Sequence, residues 1–198
     1  MAYSGILGNA MGKATTERKY LTPLEIERIL NWLKKNKTVR DYCLVLLSYK
    51  HGLRATEAVN LKWSDISYRD RSIYIHRLKG SKSGYHPLSE KELRLLTRLK
   101  NYYLDKEMYG PYLFLNLKTK LCLTRYAFNE LCDEITKAGV VPVKVYPHIF
   151  RHSCGYYLAN NGYDTRLIQD YLGHRNISCT QVYTTVAEHR FRTIQWAY

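Results

Sequence analysis

Apolar residues recur at helical spacing in the first part of the chain, after a Thr-Pro-Leu-Glu segment at residues 22–25. This segment predicts a helix start, because Thr can cap, Pro suits the first helical position and Glu lies three residues after the cap. A more buried helix is predicted from about residue 39 to residue 50, ending near Gly52, and a short one over residues 54–58. The apolar face of the first helix comprises Ile26, Ile29, Leu30 and Leu33.

The spacing of hydrophobic positions then changes to that of a strand. Residues 72–76 alternate between apolar and polar, residues 79–84 have the composition of a turn, and residues 85–88 form a returning strand. Pro87 lacks a backbone N–H, which restricts this second strand to an edge of the sheet or places Pro87 at its end. The pattern therefore predicts one small antiparallel sheet.

Helical periodicity resumes at a second capping box, Ser89-Glu90-Lys91-Glu92, and continues to the end of the chain. The helix after this box is predicted to turn Leu93, Leu96, Leu99 and Tyr103 inward. Further helices are predicted from Thr124 to Gly139, from about Ile149 (after Pro147) to Gly162, from Asp164 to Gly173, and over residues 178–183 and 188–198. The fold class is mainly α (α+β): a helical bundle with a small antiparallel β-sheet.

The sequence predicts one domain preceded by an N-terminal arm. Residues 1–20 contain three Gly and little periodicity, so we expect a flexible N-terminal arm, and residues 21–198 form the domain. We expect no separate domain before it. The longest aliphatic run, residues 44–47, is far shorter than the roughly 20 apolar residues of a membrane span. Residues 1–11 lack the basic and apolar regions of a secretion signal.

The charge balance points to a polyanionic partner. Lys and Arg number 31 against 17 Asp and Glu, a net charge of +14, while 45% hydrophobic residues argue against disorder. Nucleic acid is the first expectation and an anionic membrane surface the second. The cysteine count is odd and includes no C-x-x-C, which indicates reduced thiols in a cytoplasmic protein. The cysteines are Cys43, Cys122, Cys132, Cys154 and Cys179.

Several polar residues near predicted helix ends also have simple structural interpretations. Arg54 could cap the carbonyls of the preceding helix, and Lys79 could be a solvated turn residue. His148 and His152 are four residues apart and could bind a metal ion with Cys154 nearby. The zinc-protease pattern would need Glu directly after the first His, and no acidic cluster suggests Mg²⁺, so we expect no metal.

Taken together, these residues form a set of motifs that resembles the catalytic domain of the tyrosine recombinases, the family of phage-type integrases and Xer proteins. The resemblance extends from residue 19 to about residue 192 and keeps the family's motif order. The five matching segments are His51-Gly52-Leu53-Arg54-Ala55-Thr56-Glu57, Leu78-Lys79-Gly80-Ser81-Lys82, His148-Ile149-Phe150-Arg151-His152, Tyr171-Leu172-Gly173-His174 and Thr180-Gln181-Val182-Tyr183.

Residues 41–44, 77–79 and 164–177 carry a narrower resemblance, to the short fimbrial phase-variation recombinases, which invert a promoter-bearing DNA segment. The resemblance implies a site-specific recombinase acting without metal or ATP on double-stranded DNA with inverted-repeat sites. A DNA-bound homotetramer, accessory DNA-bending proteins, a nucleoid-associated location in the cytoplasm and no membrane association follow from it.

The resemblance implies a role for each member of the polar set. Tyr183 would attack phosphorus and leave a 3′-phosphotyrosyl bond, which conserves the energy of the ester for rejoining. Arg54 and Arg151 would clamp the non-bridging oxygens, since a fork of fixed donors suits phosphate. His148 and His174 would donate further hydrogen bonds to the transition state.

Three supporting assignments follow from the same resemblance. Lys79 would be the general acid for the leaving 5′-oxygen, although Lys82 lies in the same turn and could take its place. Glu57, three residues after Arg54, would hold that arginine or support the site through hydrogen bonds. His152 is expected to pack under the site rather than act in it.

Alternatives remain at the level of the sequence. Tyr156, Tyr157 and Tyr171 are rival nucleophiles by residue type alone. A type IB topoisomerase uses related tyrosine chemistry, and a DNA-binding regulator could keep the fold without cleaving DNA. The Leu-Gly-His segment and the short chain favour the recombinase over the topoisomerase. A regulator would have no use for a nucleophile opposite two arginines.

The chain departs from the family at both ends. Many members have an N-terminal helical domain that grips the other face of DNA, and its lack predicts weaker, more salt-sensitive binding by a lone monomer. The arm, with Lys13, Arg18 and Lys19, could follow the DNA backbone or be a disordered end. Residues 184–198 could dock on a neighbouring protomer or pack on their own domain. The apolar residues of this tail are Phe191, Ile194 and Trp196.

Overall fold

The computed structural model describes residues 18–78 and 80–184. Within them the chain is mainly helical with one small antiparallel sheet, which confirms the predicted fold class. Residues 1–17 of the predicted arm, Lys79 and the tail helix predicted over residues 188–198 lie outside the described residues. The division into an arm and a single domain therefore stays a prediction.

The first three helices begin at capping residues. Helix α1 spans Pro23–Asn36, and the Glu25 carboxylate accepts a hydrogen bond from the Thr22 N–H at 2.7 Å, completing the predicted capping box. Helix α2 spans Val39–Lys50 and begins with a second box, formed by Thr38 and Asp41. Helix α3, Ala55–Val59, follows after a tight turn at Gly52.

Three antiparallel strands follow α3 in the order β1-β2-β3. Strands β2 (Ser72–Ile75) and β3 (Gly84–Pro87) form the predicted hairpin, with Ile73 opposite His86. Strand β1, Ile66–Ser67, pairs with β2 and was not predicted, because two residues are too short for an alternating pattern. Pro87 is the last residue of the edge strand β3, as predicted.

The remaining helices match the predicted order. Helix α4 begins at the Ser89–Glu92 capping box, and its buried face includes Leu95, while Leu93, expected inside, is only half-buried. Helix α6 begins at Pro147 rather than near Ile149, since Pro is favoured in the first turn. The helices are α4 (Glu90–Leu104), α5 (Arg125–Lys137), α6 (Pro147–Asn160), α7 (Thr165–Leu172) and α8 (Ser178–Thr184).

Helix α2 lies at the centre of the fold and packs against α1, α3, α4 and α6. The large core contains Leu44, Leu96 and Phe150, each fully buried. A smaller cluster joins α6, α7 and α8 and includes Leu172 and Tyr183. The candidate site forms where these two apolar clusters meet, beside the turn at Gly52.

The end of the predicted arm contacts the domain. The Arg18 guanidinium pairs with Glu25 at 2.5 Å, and the ring of Tyr20 lies 3.9 Å from that of Tyr156 on α6. The backbone N–H of Leu21 donates to the Ser153 hydroxyl at 2.8 Å. Residues 18–21 therefore attach the chain to α1 and α6.

Candidate active site

Arg54 is the N-cap residue of α3, and Glu57 lies in the first turn of that helix. The Glu57 carboxylate accepts from the backbone N–H of Arg54 at 3.0 Å and from its Nη1 at 2.5 Å. Nη2 of Arg54 donates to the Ser81 hydroxyl at 3.3 Å. The three-residue spacing thus places Glu57 where it orients the Arg54 guanidinium, and Ser81 connects that guanidinium to the β2–β3 turn.

Arg77 lies two residues after strand β2, and its side chain is fully buried. Its Nη1 donates to Glu57 Oε2 at 2.8 Å and to the Gly52 carbonyl at 3.0 Å. Its Nη2 donates to the carbonyls of His51, at 2.9 Å, and Tyr171, at 2.8 Å. One guanidinium therefore joins the turn before α3, the sheet and the end of α7.

The sequence motifs predict no role for Arg77, although its segment carries part of the resemblance. A signal for it exists in the strand alternation, because Arg77 continues the inward face of Ile73 and Ile75. An arginine on the buried face of a strand needs a buried anion, and Glu57 provides it.

Arg151 lies on α6 and is 1% exposed. Its Nη1 donates to the Gly52 carbonyl at 2.5 Å and its Nη2 to the Leu172 carbonyl at 2.8 Å. Burial lowers the pKa of Arg151 to about 10, with Arg54 and Arg77 adding to the shift, so the guanidinium stays charged at neutral pH. Two carbonyls thus fix the fork of Arg151 and leave some of its five N–H donors for a ligand.

His174 follows the left-handed glycine that ends α7. Gly173 has φ of +69°, and a Cβ at this position would lie 2.8 Å from the Lys82 carbonyl oxygen. The ring Nδ1 of His174 is 2.8 Å from the Thr180 hydroxyl. Burial lowers the pKa of His174 to about 4, followed by the effect of Arg151, so its imidazole is neutral at pH 7.

Tyr183 packs into the same region from α8 and is 2% exposed. Its hydroxyl lies 3.2 Å from Nδ1 of His152, and its ring stacks at 6.1 Å on that of His174. Burial raises the pKa of Tyr183 to about 12 despite the opposing effect of Arg151. The ring also contacts Gly155, where a Cβ would approach its atoms to 2.6 Å.

The other candidate residues differ in how far the structure describes them. His148 is exposed in the first turn of α6, with its ring 4.6 Å from that of His152. Lys79 lies outside the described residues. Lys82 is exposed, and its Nζ is 3.6 Å from Asp170 on α7. The structure thus brings together Arg54, Glu57, His148, Arg151, His152, His174 and Tyr183.

Comparison with known proteins shows the family of the chain. A profile described as "Phage integrase family" matches residues 19–190, most of the chain and all of the candidate site. The chain belongs to this family. It is similar to the type 1 fimbriae regulatory proteins FimB and FimE of Escherichia coli K12. FimB is 42% identical over 88% of each chain, and FimE is 37% identical over 89% of this chain and 90% of its own.

Solved structures share this fold. A crystal structure of XerA recombinase shares the fold, with a TM-score of 0.78 and 24% identity over 92% of this chain and 68% of its own. The XerH site-specific recombinase bound to its palindromic difH substrate matches with a TM-score of 0.73 and 26% identity, over 87% of this chain and 51% of its own. The protein is a site-specific tyrosine recombinase. None of the helices described in it has the length and apolarity to span a membrane.

The rival tyrosines of the recombinase have structural contacts of their own. The Tyr171 hydroxyl donates to the Lys50 carbonyl at 2.9 Å, and its ring lies 4.1 Å from that of His86. The Tyr156 ring packs between those of Tyr20 and Tyr183. Tyr171 is thus bonded to a backbone carbonyl through its hydroxyl, whereas the hydroxyl of Tyr183 lies beside His152.

The metal-binding alternative has no geometric support in the described part of the recombinase. The Cys154 thiol donates to the Lys50 carbonyl at 3.6 Å, while Nδ1 of His152 faces Tyr183. Across residues 18–78 and 80–184, no three His, Cys, Asp or Glu side chains form a group that could hold a metal ion. His148, His152 and Cys154 therefore do not converge as ligands.

Proposed function

We propose that the recombinase cuts one strand of duplex DNA by attack of the Tyr183 hydroxyl on phosphorus. The products are a 3′-phosphotyrosyl bond and a free 5′-hydroxyl, and attack by a 5′-hydroxyl rejoins the strand without ATP or a metal ion. The observation that supports this most is the position of the Tyr183 hydroxyl, 3.2 Å from an imidazole and in the electrostatic field of Arg151.

The surrounding residues are suited to stabilising the transition state. Arg151 and Arg54 bind the non-bridging phosphate oxygens, since fixed acceptors hold both guanidiniums in place. Neutral His174 and His148 donate hydrogen bonds to the same phosphate. Glu57 is a positioning residue for Arg54, and Lys79 is the acid that protonates the leaving 5′-oxygen.

The substrate we propose is DNA carrying inverted repeats, and the outcome is inversion of a promoter segment. The net charge of +14 suits a DNA partner. XerH was solved on its difH substrate, and the two fimbrial relatives are named as regulatory proteins of type 1 fimbriae. We place the reaction on the nucleoid in the cytoplasm, in a DNA-bound homotetramer assisted by DNA-bending proteins.

Covalent capture in cells tests this proposal on genomic DNA and needs no synthetic target site. The recombinase is expressed in cells, the cells are denatured, and DNA that remains attached to the purified protein is sequenced. We expect attached DNA to cluster at inverted repeats. Tyr183→Phe removes the nucleophile and should abolish the adduct, whereas Tyr157→Phe, an exposed neighbour on α6, should leave it unchanged.

The distribution of adducts distinguishes the alternatives. Adducts scattered along the genome would indicate a topoisomerase, and adducts that persist in Tyr183→Phe would overturn the nucleophile assignment. If the wild type yields none, a nicked substrate built from non-covalently enriched sites traps the intermediate by letting the 5′ fragment diffuse away. Absence of an adduct on that substrate would identify a protein that binds DNA without cleaving it.

A further inference from the structure

The second histidine of the segment 148–152 is in direct contact with the nucleophile. Nδ1 of His152 lies 3.2 Å from the Tyr183 hydroxyl, within hydrogen-bonding distance. His174 also contacts the tyrosine, but through the face of its ring, and its Nδ1 is engaged by the Thr180 hydroxyl at 2.8 Å. His148 meets His152 edge to face at 4.6 Å. Of these three imidazoles, His152 presents a nitrogen to the phenolic proton.

The local packing holds this contact in place. The ring of Tyr183 lies against Gly155, one turn after His152 on α6, and a Cβ there would overlap the ring. The ring also stacks on His174 and meets Tyr156 edge to face at 5.2 Å. The tyrosine is thus enclosed by α6 and by the segment after α7, with its hydroxyl directed to His152.

The reaction needs a proton acceptor at this point. Burial raises the pKa of Tyr183 to about 12. Only about one in 10⁵ such phenols is ionised at pH 7, so the tyrosine must lose its proton as it attacks. A neutral imidazole within hydrogen-bonding distance is the side chain most often used for such a transfer.

We propose that His152 is the general base that accepts the phenolic proton of Tyr183 during strand cleavage, an inference that rests on the proposed function. As the phenolic oxygen bonds to phosphorus, its proton moves to Nδ1 of His152. The bond from phosphorus to the 5′-oxygen breaks, and Lys79 supplies the proton of the new 5′-hydroxyl. Rejoining reverses both transfers: the incoming 5′-hydroxyl returns its proton to Lys79, and protonated His152 gives its proton to the departing Tyr183.

The surroundings of His152 lower its pKa, which leaves the imidazole neutral and able to accept this proton. Burial lowers its pKa, followed by the effects of Arg151 on its own helix and Lys19 on the N-terminal segment, so the ring is neutral at pH 7. Arg151 also stabilises the phenolate. The titratable and charged groups that face the pair are Lys19, His148, Arg151, Cys154, Tyr156, His174 and Cys179.

His152→Asn is the decisive variant, because its amide occupies the place of Nδ1 and keeps a hydrogen bond but cannot take a proton at neutral pH. We expect single-turnover cleavage of the nicked substrate to slow by about 100-fold or more, with DNA affinity unchanged. His76→Asn changes an exposed histidine on the hairpin and should cleave at the wild-type rate. His152→Ala lacks both the imidazole and the replacing amide. An equally slow cleavage rate in the Ala and Asn variants would show that the loss of rate follows from removal of the base and not from the amide.

Acidifying the nucleophile separates proton transfer from a structural role. Ring-fluorinated tyrosine placed at position 183 has a lower phenol pKa and depends less on a base. We expect fluorination to raise the cleavage rate of His152→Asn at least about tenfold, and to change the wild-type rate by a smaller factor. Wild-type rates in His152→Asn, or a loss that fluorination does not relieve, would overturn the assignment. Absence of an adduct between the wild type and the nicked substrate would instead overturn the proposed function and this inference with it.

Discussion

Arg77 and Glu57 form an ion pair in which each side chain is 1% exposed, with 2.8 Å between Nη1 and Oε2. The other carboxylate oxygen of Glu57 is 2.5 Å from Nη1 of Arg54. Burial by itself raises the pKa of Glu57, but Arg77 and the hydrogen bonds from Arg54 outweigh it and lower the pKa. One buried carboxylate thus connects a structural arginine to an arginine proposed to bind phosphate.

Arg77→Met should destabilise the protein strongly, because it leaves the Glu57 charge buried without its innermost partner. We expect the free energy of unfolding to fall by about 3–5 kcal/mol, as measured by urea denaturation at pH 7. Adding Glu57→Gln removes that buried charge, so the double variant should be more stable than the sum of the two single losses predicts.

Arg54→Met is the matched control, since Arg54 pairs with the same carboxylate but is 25% exposed. Its loss should cost only about 1 kcal/mol, because Glu57 keeps its buried partner Arg77 and Arg54 is itself partly solvated. The effect on DNA cleavage should not follow the effect on stability. Arg54→Met should stay folded and yet lose DNA cleavage. Equal destabilisation by the two substitutions would contradict the structural role assigned to Arg77.

The sequence predicted most elements of this fold because their signals are local. The boxes at Thr22 and Ser89 require residues only three positions apart, and both form as predicted. Gly173 marks the end of α7 for the same reason, since its left-handed φ is a property of a single residue. The five motifs likewise indicated the family through residue types and order.

The long-range contacts of the site had no such signal. Arg77 and Glu57 are 20 residues apart, and their pairing depends on how the segment after β2 packs against the turn before α3. His152 was expected to pack beneath the site, yet its nitrogen meets the Tyr183 hydroxyl across 31 residues. Periodicity places a residue on a face of its own element and does not determine which element covers that face.

Gly155→Ala tests how closely α8 packs on α6. Alanine normally favours a helix by about 1 kcal/mol over glycine, but a Cβ here would lie 2.6–2.8 Å from the Tyr183 ring. We expect the substitution to displace Tyr183 and to reduce covalent adduct formation about tenfold or more. Faster hydrogen exchange of the α8 amides would report the displacement directly.

Gly84→Ala provides the control for this substitution, because nothing lies within 4 Å of a Cβ at that position and its φ is not positive. It should leave adduct formation and α8 exchange unchanged. A normal adduct yield in Gly155→Ala would show that the ring can move aside without losing its reactive position.

Gly52→Ala should be more harmful than alanine at other left-handed glycines. Gly52 has φ of +57°, and a Cβ would lie 2.3 Å from Cδ2 of Leu172. Gly139 has φ of +62° with nothing within 4 Å of its Cβ, so Gly139→Ala carries only the backbone cost of about 1–2 kcal/mol. The extra loss of unfolding free energy in Gly52→Ala measures the overlap with α7, and equal losses would contradict that close approach.

Acidification should destabilise the fold before its carboxylates titrate. Burial, with His51 and Arg77 adding to it, lowers the pKa of His86 from 6.5 to about 3, and burial also lowers that of His174 to about 4. Between these values and pH 6.5 the unfolded chain binds more protons than the folded one, so stability rises with pH in this window and is lost as pH falls. The free energy of unfolding should therefore decrease from pH 7 to pH 5, as measured by urea denaturation.

His86→Gln should flatten this dependence, because it removes a histidine that protonates only in the unfolded chain over that range. Comparing slopes rather than absolute stabilities separates the proton effect from any packing defect at His86. An unchanged slope in His86→Gln would mean that its imidazole takes up its proton equally in both states, against the buried position between His51 and Tyr171.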